Sequence, residues 1–198
     1  PSGYNGELQR RKVRSVGVWY DPDLEHMTPH PGNPILHPNT GMEHEIHFCS
    51  VFQYCGFYVM LYEHDWYEPS GRIIGDIRLA YSRDGIHFTR LQPERAVVPN
   101  GTKAEWDGGL LVASPDVIRH DDKLWIYYTG VSQDWKGWPS GRPPGAPSPS
   151  TLYPQHLGLA TLPLDGFVRL QTRNKPFEGW FRTSPVTTAP GVPLRVSF

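Results

Sequence analysis

The chain repeats a pattern of short strands and turns at an interval of 61 residues (Tyr20 to Tyr81). Residues 16–38 superpose without a gap on residues 77–99, and a weaker third copy, LGLATLPLDGFVRLQ, covers residues 157–171. Because the repeating unit contains only short strands, this period predicts a radial array of small sheets, or blades. The matched positions pair Tyr20 with Tyr81, Asp23 with Asp84, His26 with His87, Thr28 with Thr89 and Pro38 with Pro99.

A hairpin pattern precedes the second and third copies. Residues 44–63 and 105–130 each contain two apolar runs joined by a short polar segment, which is typical of a β-hairpin. The 20 Gly and 21 Pro residues leave little room for long helices. The sequence therefore predicts an all-β fold of propeller-like blades built from short antiparallel strands. The chain would hold about three blades, an incomplete propeller.

The predicted organisation has three parts. Residues 1–12 form an N-terminal arm, residues 13–176 form the blades, and residues 177–198 give C-terminal strands whose parent sheet is not evident. A loop rich in Pro, Gly and Ser interrupts the third blade at residues 132–154, since such a composition cannot build a strand ladder. Residue 1 is a proline, which leaves an upstream segment open.

Charge and hydropathy narrow the classes of partner. The formal net charge is −1, so no basic surface predicts a nucleic-acid partner. No apolar run reaches the length of a membrane span, and no signal peptide is visible, so location is open between secreted, periplasmic and cytoplasmic. Cys49 lies in a predicted strand and Cys55 in a turn, and both free thiols and a short-range disulfide remain possible.

Asp116 is the most unusual residue of the second hairpin. It follows Pro115 inside the apolar run from Leu110 to Ile118. A carboxylate in a strand that should be buried is costly unless it is paired or used chemically. Asp116 is therefore a candidate catalytic residue, with a bulge cap or an arginine partner as the alternative.

The quoted segments resemble the five-bladed propeller glycoside hydrolases, such as families 32, 43, 68 and 130. SPDVIRHDDKLWIYYTG followed by HLGLATLPLDGFVRL is similar to one of their blades, and IRLAYSRDGIHFTRL is similar to their outer strand. The resemblance covers roughly residues 13–171. It implies a sugar-binding funnel on the propeller axis, lined by inner strands that carry catalytic carboxylates. One carboxylate protonates the leaving oxygen and another faces the anomeric carbon.

The resemblance implies roles for several carboxylates. Asp116 matches the inner-strand Asp that stabilises the reacting groups or tunes the pKa of another carboxylate. Glu45 is the general-acid candidate, although the aligned hairpins place Cys49, and not Glu45, opposite Asp116. Asp107 is a further catalytic candidate, with a simple turn role as the alternative.

Asp21-Pro22 resembles the Asp-Pro motif that supplies the base in the fructosidase-like enzymes, but the repeat aligns Asp21 with Ser82 in an outer strand. The base would then lie in an earlier blade, absent from this chain.

Four residues form the predicted substrate-binding set. Trp106 lies between Glu105 and Asp107, and an aromatic ring beside carboxylates suits a sugar. His47 and Trp66 complete the set. Trp66 ends the segment Glu63–Trp66, which is interpreted as a solvated turn or as part of the funnel rim.

No cofactor and no metal site is predicted, because the histidines show no convergent ligand spacing. The first functional hypothesis is a glycoside hydrolase acting on furanosides or related glycans. The alternatives are a non-catalytic carbohydrate-binding or assembly propeller, and an inactive truncated fragment. A carbohydrate is the expected partner in the first two cases. Since three blades do not close a ring, a homo-oligomer could complete the propeller.

Overall fold

The computed structural model describes residues 13–23, 25–39, 45–69, 73–103, 105–132 and 155–168, together with residues 185, 187 and 189–191. The predicted arm and most of the Pro-rich loop and C-terminal strands lie outside these ranges. The described residues form nine β-strands, and none of them is helical. The strands are β1 Trp19–Tyr20, β2 Thr28–Pro29, β3 Cys49–Tyr54, β4 Phe57–Tyr67, β5 Ile73–Ser82, β6 Thr89–Leu91, β7 Leu110–His120, β8 Lys123–Val131 and β9 His156–Pro163.

Two hairpins form the cores of two blades, as predicted. β3 and β4 pair antiparallel around Cys55 and Gly56, whose φ angles of 49° and 77° suit a two-residue turn. β7 and β8 pair antiparallel around Asp121 and Asp122. The first blade continues through β5 to β6, and the second continues to β9, with antiparallel pairing in each case.

The sequence repeat is a structural repeat. Tyr20 pairs with Thr28 between β1 and β2, and Tyr81 pairs with Thr89 between β5 and β6, so the register is the same. In the turns between these strands, His26 Nδ1 lies 3.2 Å from an Asp23 oxygen, and His87 Nδ1 lies 2.6 Å from an Asp84 oxygen. The described residues thus contain the end of one blade, a complete four-stranded blade and three strands of a third.

The complete blade is buried on both faces because it packs between its neighbours. Leu61 and Ile77 lie in the apolar layer shared with the third blade. Met60 and Tyr62 lie in the layer shared with the first. All four side chains are fully buried. This two-sided packing explains why β4 is apolar at consecutive positions and shows no alternation.

A single parallel bridge between Gly75 and Leu110 connects the two larger blades. The amide of Gly75 donates to the carbonyl of Gly109, and the side-chain amide of Asn100 donates to the carbonyls of both glycines. The end of β4, the start of β5 and the start of β7 are therefore held together. No helix able to cross a membrane occurs in this described part of the chain.

Candidate functional site

Three acidic side chains meet at this junction: Glu45, Glu63 and Asp65, here called the carboxylate cluster. All three are buried, and Asp65 is completely enclosed. Glu45 was predicted from the sequence, whereas Glu63 and Asp65 were interpreted as part of a solvated turn or of the funnel rim. The solvated turn was wrong, because β4 continues through both residues to Tyr67.

The strand geometry puts the cluster on one face of the blade. Glu63 and Asp65 are two residues apart in β4, so their side chains point the same way. Glu45 forms an isolated β-bridge with Asp65, and Cys49 pairs with Tyr62. Three residues, 46–48, therefore lie opposite only two residues of β4, 63–64. This extra residue is a β-bulge, and it breaks the regular strand assumed between Glu45 and Cys49.

Two basic side chains contact the cluster. Nη1 of Arg14 donates to Glu45 Oε1 at 2.7 Å. His47 Nδ1 lies 3.5 Å from Glu63 Oε2. The structure thus brings His47, a predicted substrate-binding residue, against the carboxylates. Burial, followed by the positive charge of Arg14, lowers the pKa of His47 from its usual value.

The environments of the two β4 carboxyls favour their neutral forms. Burial, with a further contribution from the Asp65 charge, raises the pKa of Glu63 to about 9. Burial, followed by the charge of Glu45, raises the pKa of Asp65 to about 7. Apart from the mutual contact of the two carboxyls, none of their oxygens has a hydrogen-bond partner among the described residues. If all three carboxyls were ionised, their negative charge would exceed what Arg14 and His47 can compensate, and protonation of Glu63 and Asp65 relieves this cost.

An aromatic platform lies near the start of β7, formed by Trp106, Tyr128 and His156. The ring of Trp106 stacks on Tyr128 at 5.7 Å between centroids and meets His156 edge-on. Trp106 remains 36% exposed. It fits here because Gly130 and Gly158 have no side chains; an added Cβ at either would lie within 2.7 Å of its ring.

Asp107 and Glu105, the neighbours of Trp106, are held by hydrogen bonds. The hydroxyl of Tyr128 donates to Asp107 Oδ2 at 3.0 Å. Burial and then this hydrogen bond raise the pKa of Tyr128 to about 12. Glu105 Oε2 accepts from the amide of Thr102 and closes a tight loop, which gives this exposed carboxylate a structural contact.

Asp116 lies apart from both groups. The pairing of β7 with β8 is interrupted between Ala113 and Val117, and Asp116 is exposed within that irregular segment. Asp116 lies six residues after Leu110, which forms the bridge to Gly75. Along an extended strand this is a separation of roughly 20 Å from the junction. The premise that Asp116 is a buried strand carboxylate was therefore wrong. Its catalytic role stays a prediction.

Trp66 points away from the cluster. It alternates with Asp65 in β4 and contacts His64, while the guanidinium of Arg78 lies 5.8 Å from its ring centroid. Arg78 also donates two hydrogen bonds to the Asp76 carboxylate, at 2.8 and 3.1 Å. Trp66 thus packs in a structural contact on the opposite face, and its predicted substrate contact stays untested.

Comparison with known proteins supports the fold. No family model matches the chain, and no curated protein matches it. A solved structure described as a glycoside hydrolase matches with a TM-score of 0.52 and 18% identity over 74% of this chain. The chain covers 35% of that structure. The expected likeness to propeller glycoside hydrolases is confirmed at the level of fold.

Two further solved structures are similar over 77% of this chain and 40% of theirs. One is a member of the GH130 family of mannoside phosphorylases, which contains glycoside hydrolases that target β-1,2-mannosidic linkages in Candida mannan (16% identity, TM-score 0.43). The other is a glycosyl hydrolase from Bacteroides ovatus (17% identity, TM-score 0.44).

Proposed function

We propose that this chain forms the carboxylate-bearing part of a protein that hydrolyses O-glycosidic bonds of furanosides or related glycans. One observation carries the proposal. Glu45 and Asp107 each lie within four residues of the first strand, β3 or β7, of consecutive blades. The Gly75–Leu110 bridge joins β5 to the start of β7, and Gly75 lies against Asp65, the bridge partner of Glu45. A propeller glycosidase needs two carboxylates from successive blades, and we assign these roles to Glu45 and Asp107.

The contacts of the two residues suggest a division of labour. Glu45 accepts a hydrogen bond from Arg14, and we assign it the carboxylate that faces the anomeric carbon in place of the general-acid role predicted from the sequence. Proton donation to the leaving oxygen then falls to Asp107, whose Oδ2 is oriented by the Tyr128 hydroxyl. Trp106, which directly precedes Asp107 and is 36% exposed, is assigned the role of stacking against the sugar. The glycoside hydrolase of similar fold supports the substrate class.

The proposal is tested by hydrolysis of a panel of aryl furanosides and oligosaccharides by wild type, Glu45→Gln, Asp107→Asn and Asp116→Asn. We expect Glu45→Gln to lose roughly 10²- to 10⁴-fold in kcat/KM with every substrate, since it removes the charge at the reacting carbon. Asp107→Asn should lose as much with natural glycans but retain activity on nitrophenyl glycosides, whose leaving groups need no proton. Asp122→Asn, in the exposed turn of the second hairpin, is the matched control.

Wild-type activity that survives both Glu45→Gln and Asp107→Asn would overturn the assignment. If Asp116→Asn is the only variant that abolishes activity, Asp116 has the catalytic role that the sequence predicted for it. Light scattering on the same samples identifies whether the active species is a monomer or a self-assembled ring.

A second candidate, a non-catalytic carbohydrate-binding propeller, is favoured by the partly exposed platform of Trp106 on Tyr128. Under this candidate, the chain binds glycans without hydrolysing them. Trp106→Ala should then abolish binding in calorimetric titrations, while Glu45→Gln leaves affinity unchanged. Hydrolysis that is sensitive to Glu45→Gln excludes the candidate.

A further inference from the structure

Among the described residues, no lysine or arginine is paired with Glu63 or Asp65, the two β4 members of the carboxylate cluster. Arg14 donates a hydrogen bond to Glu45. The charge of the neighbouring Asp76 is compensated by Arg78, which donates two hydrogen bonds to it. Two buried carboxylates without a counter-charge are costly, so a positively charged ligand would stabilise them.

The buried oxygens provide a second, independent observation. Glu63 is 2% exposed and Asp65 is 0% exposed. All four of their carboxylate oxygens are buried, and apart from the mutual Glu63–Asp65 contact they have no hydrogen-bond partner in the described part of the chain. Gly75 makes room for this arrangement, because a Cβ there would collide with Asp65 Oδ1. Such oxygens are available to bind a ligand that approaches them both.

The third donor is an imidazole nitrogen from the facing strand segment. One ligand atom each from His47, Glu63 and Asp65 lies within 4.8 Å of the others. The distance from His47 Nδ1 to Glu63 Oε2 is 3.5 Å. Zinc with bonds of about 2.1 Å in tetrahedral geometry has ligand edges of roughly 3.4 Å, so this pair is already at coordination spacing.

We propose that His47, Glu63 and Asp65 form a buried site for a divalent metal ion of the zinc or manganese class. The donor set of one imidazole nitrogen and two carboxylate oxygens suits these ions, whereas calcium takes six to eight oxygen ligands. The metal would fasten the β3-side bulge to β4 and fix the position of Glu45. The site does not depend on the proposed glycosidase activity, and it revises the expectation that the chain holds no metal.

The test uses the full chain after removal of metals with EDTA, at constant neutral pH. Manganese binding is followed by the loss of the free-ion paramagnetic resonance signal, and zinc binding by calorimetry. We expect one ion per chain and a higher Tm in the presence of metal. Glu63→Gln and Asp65→Asn should each weaken binding by roughly tenfold or more.

The matched control is Asp84→Asn. It removes the acidic partner of an Asp–His pair in an exposed turn, at 2.6 Å from His87 Nδ1, and should leave affinity unchanged. Near-UV circular dichroism verifies that the variants are folded. The proposal is overturned if wild type binds no stoichiometric ion, if both cluster variants retain wild-type affinity, or if Asp84→Asn weakens binding as much as they do.

One measurement on wild type alone avoids any effect of substitution on folding. X-ray absorption of the zinc-loaded chain should show a single imidazole among nitrogen and oxygen ligands. Two or more imidazoles, or a sulfur ligand, would place the zinc elsewhere and overturn the site.

Discussion

Metal-free protein is expected to lose stability as the pH rises from about 4.5 towards about 9. The pKa of Glu63 is 4.5 without its folded environment and about 9 within it. Folding therefore takes up a proton between these values, and the contribution of Glu63 is fully present only below the lower one. At pH 7 the loss amounts to about 3 kcal/mol, from the 2.5 pH units above 4.5 at about 1.36 kcal/mol each.

The charged groups around Glu63 act in both directions. Asp65, with its pKa raised to about 7, adds to the loss of stability as the pH rises. His47 opposes it, because a lowered pKa makes the folded state release a proton at acidic pH. Glu45 and Arg14 also face the site from the β3 side of the blade. Since these groups remain in a Glu63→Gln variant, that substitution isolates the contribution of Glu63.

Urea unfolding in EDTA at pH 5, 7 and 9 measures this effect. The free energy of unfolding should fall with pH in wild type and fall much less in Glu63→Gln. Glu94→Gln changes an exposed glutamate and should follow wild type. A free energy that rises with pH in wild type, or an equal slope in Glu63→Gln, would contradict the prediction.

The regular parts of the blades could be predicted because local pattern determines them. The repeat predicted that Tyr20 and Tyr81 occupy equivalent positions, and the structure gives both strands the same register against Thr28 and Thr89. The hairpin turns were evident because polar residues separate two apolar runs. These features depend on neighbours within one blade, so the sequence alone contains the required information.

The carboxylate cluster could not be predicted in the same way. Glu63 and Asp65 end an apolar run, and charged residues at such a position usually indicate a turn. Their burial depends on residues far away in the chain: Glu45 across the bulge and Gly75 in the next strand. The one available signal was their spacing of two, which places both carboxylates on the same strand face.

The burial of Asp116 was predicted wrongly for the opposite reason. The apolar residues around it predicted a regular buried strand, but β7 and β8 lose register between Ala113 and Val117. Pro115 cannot donate a ladder hydrogen bond, which explains why the strand is irregular at this point. Both bulges thus changed which carboxylates are buried, and a period-two pattern does not reveal bulges.

Replacement of Gly108 by alanine is expected to lower the free energy of unfolding by about 3 kcal/mol. A Cβ at this position would lie 2.1 Å from the carbonyl oxygen of Thr102 and 3.2 Å from Cα of Lys103. Both are backbone atoms. The backbone of the loop cannot shift easily, because two hydrogen bonds hold it. The amide of Glu105 donates to the same Thr102 carbonyl, and the amide of Gly108 donates to the carbonyl of Glu105.

The substitution should also disturb the aromatic platform, since Gly108 directly follows Trp106 and Asp107. Chemical denaturation measures the loss, and glycan titration reports whether the platform still binds. Gly32→Ala is the matched control, because an added Cβ there would meet only the side chain of His30, at 3.1 Å. If Gly108→Ala unfolds at the wild-type urea midpoint, the loop adapts more readily than its backbone contacts indicate, and Trp106 is not held by this close approach.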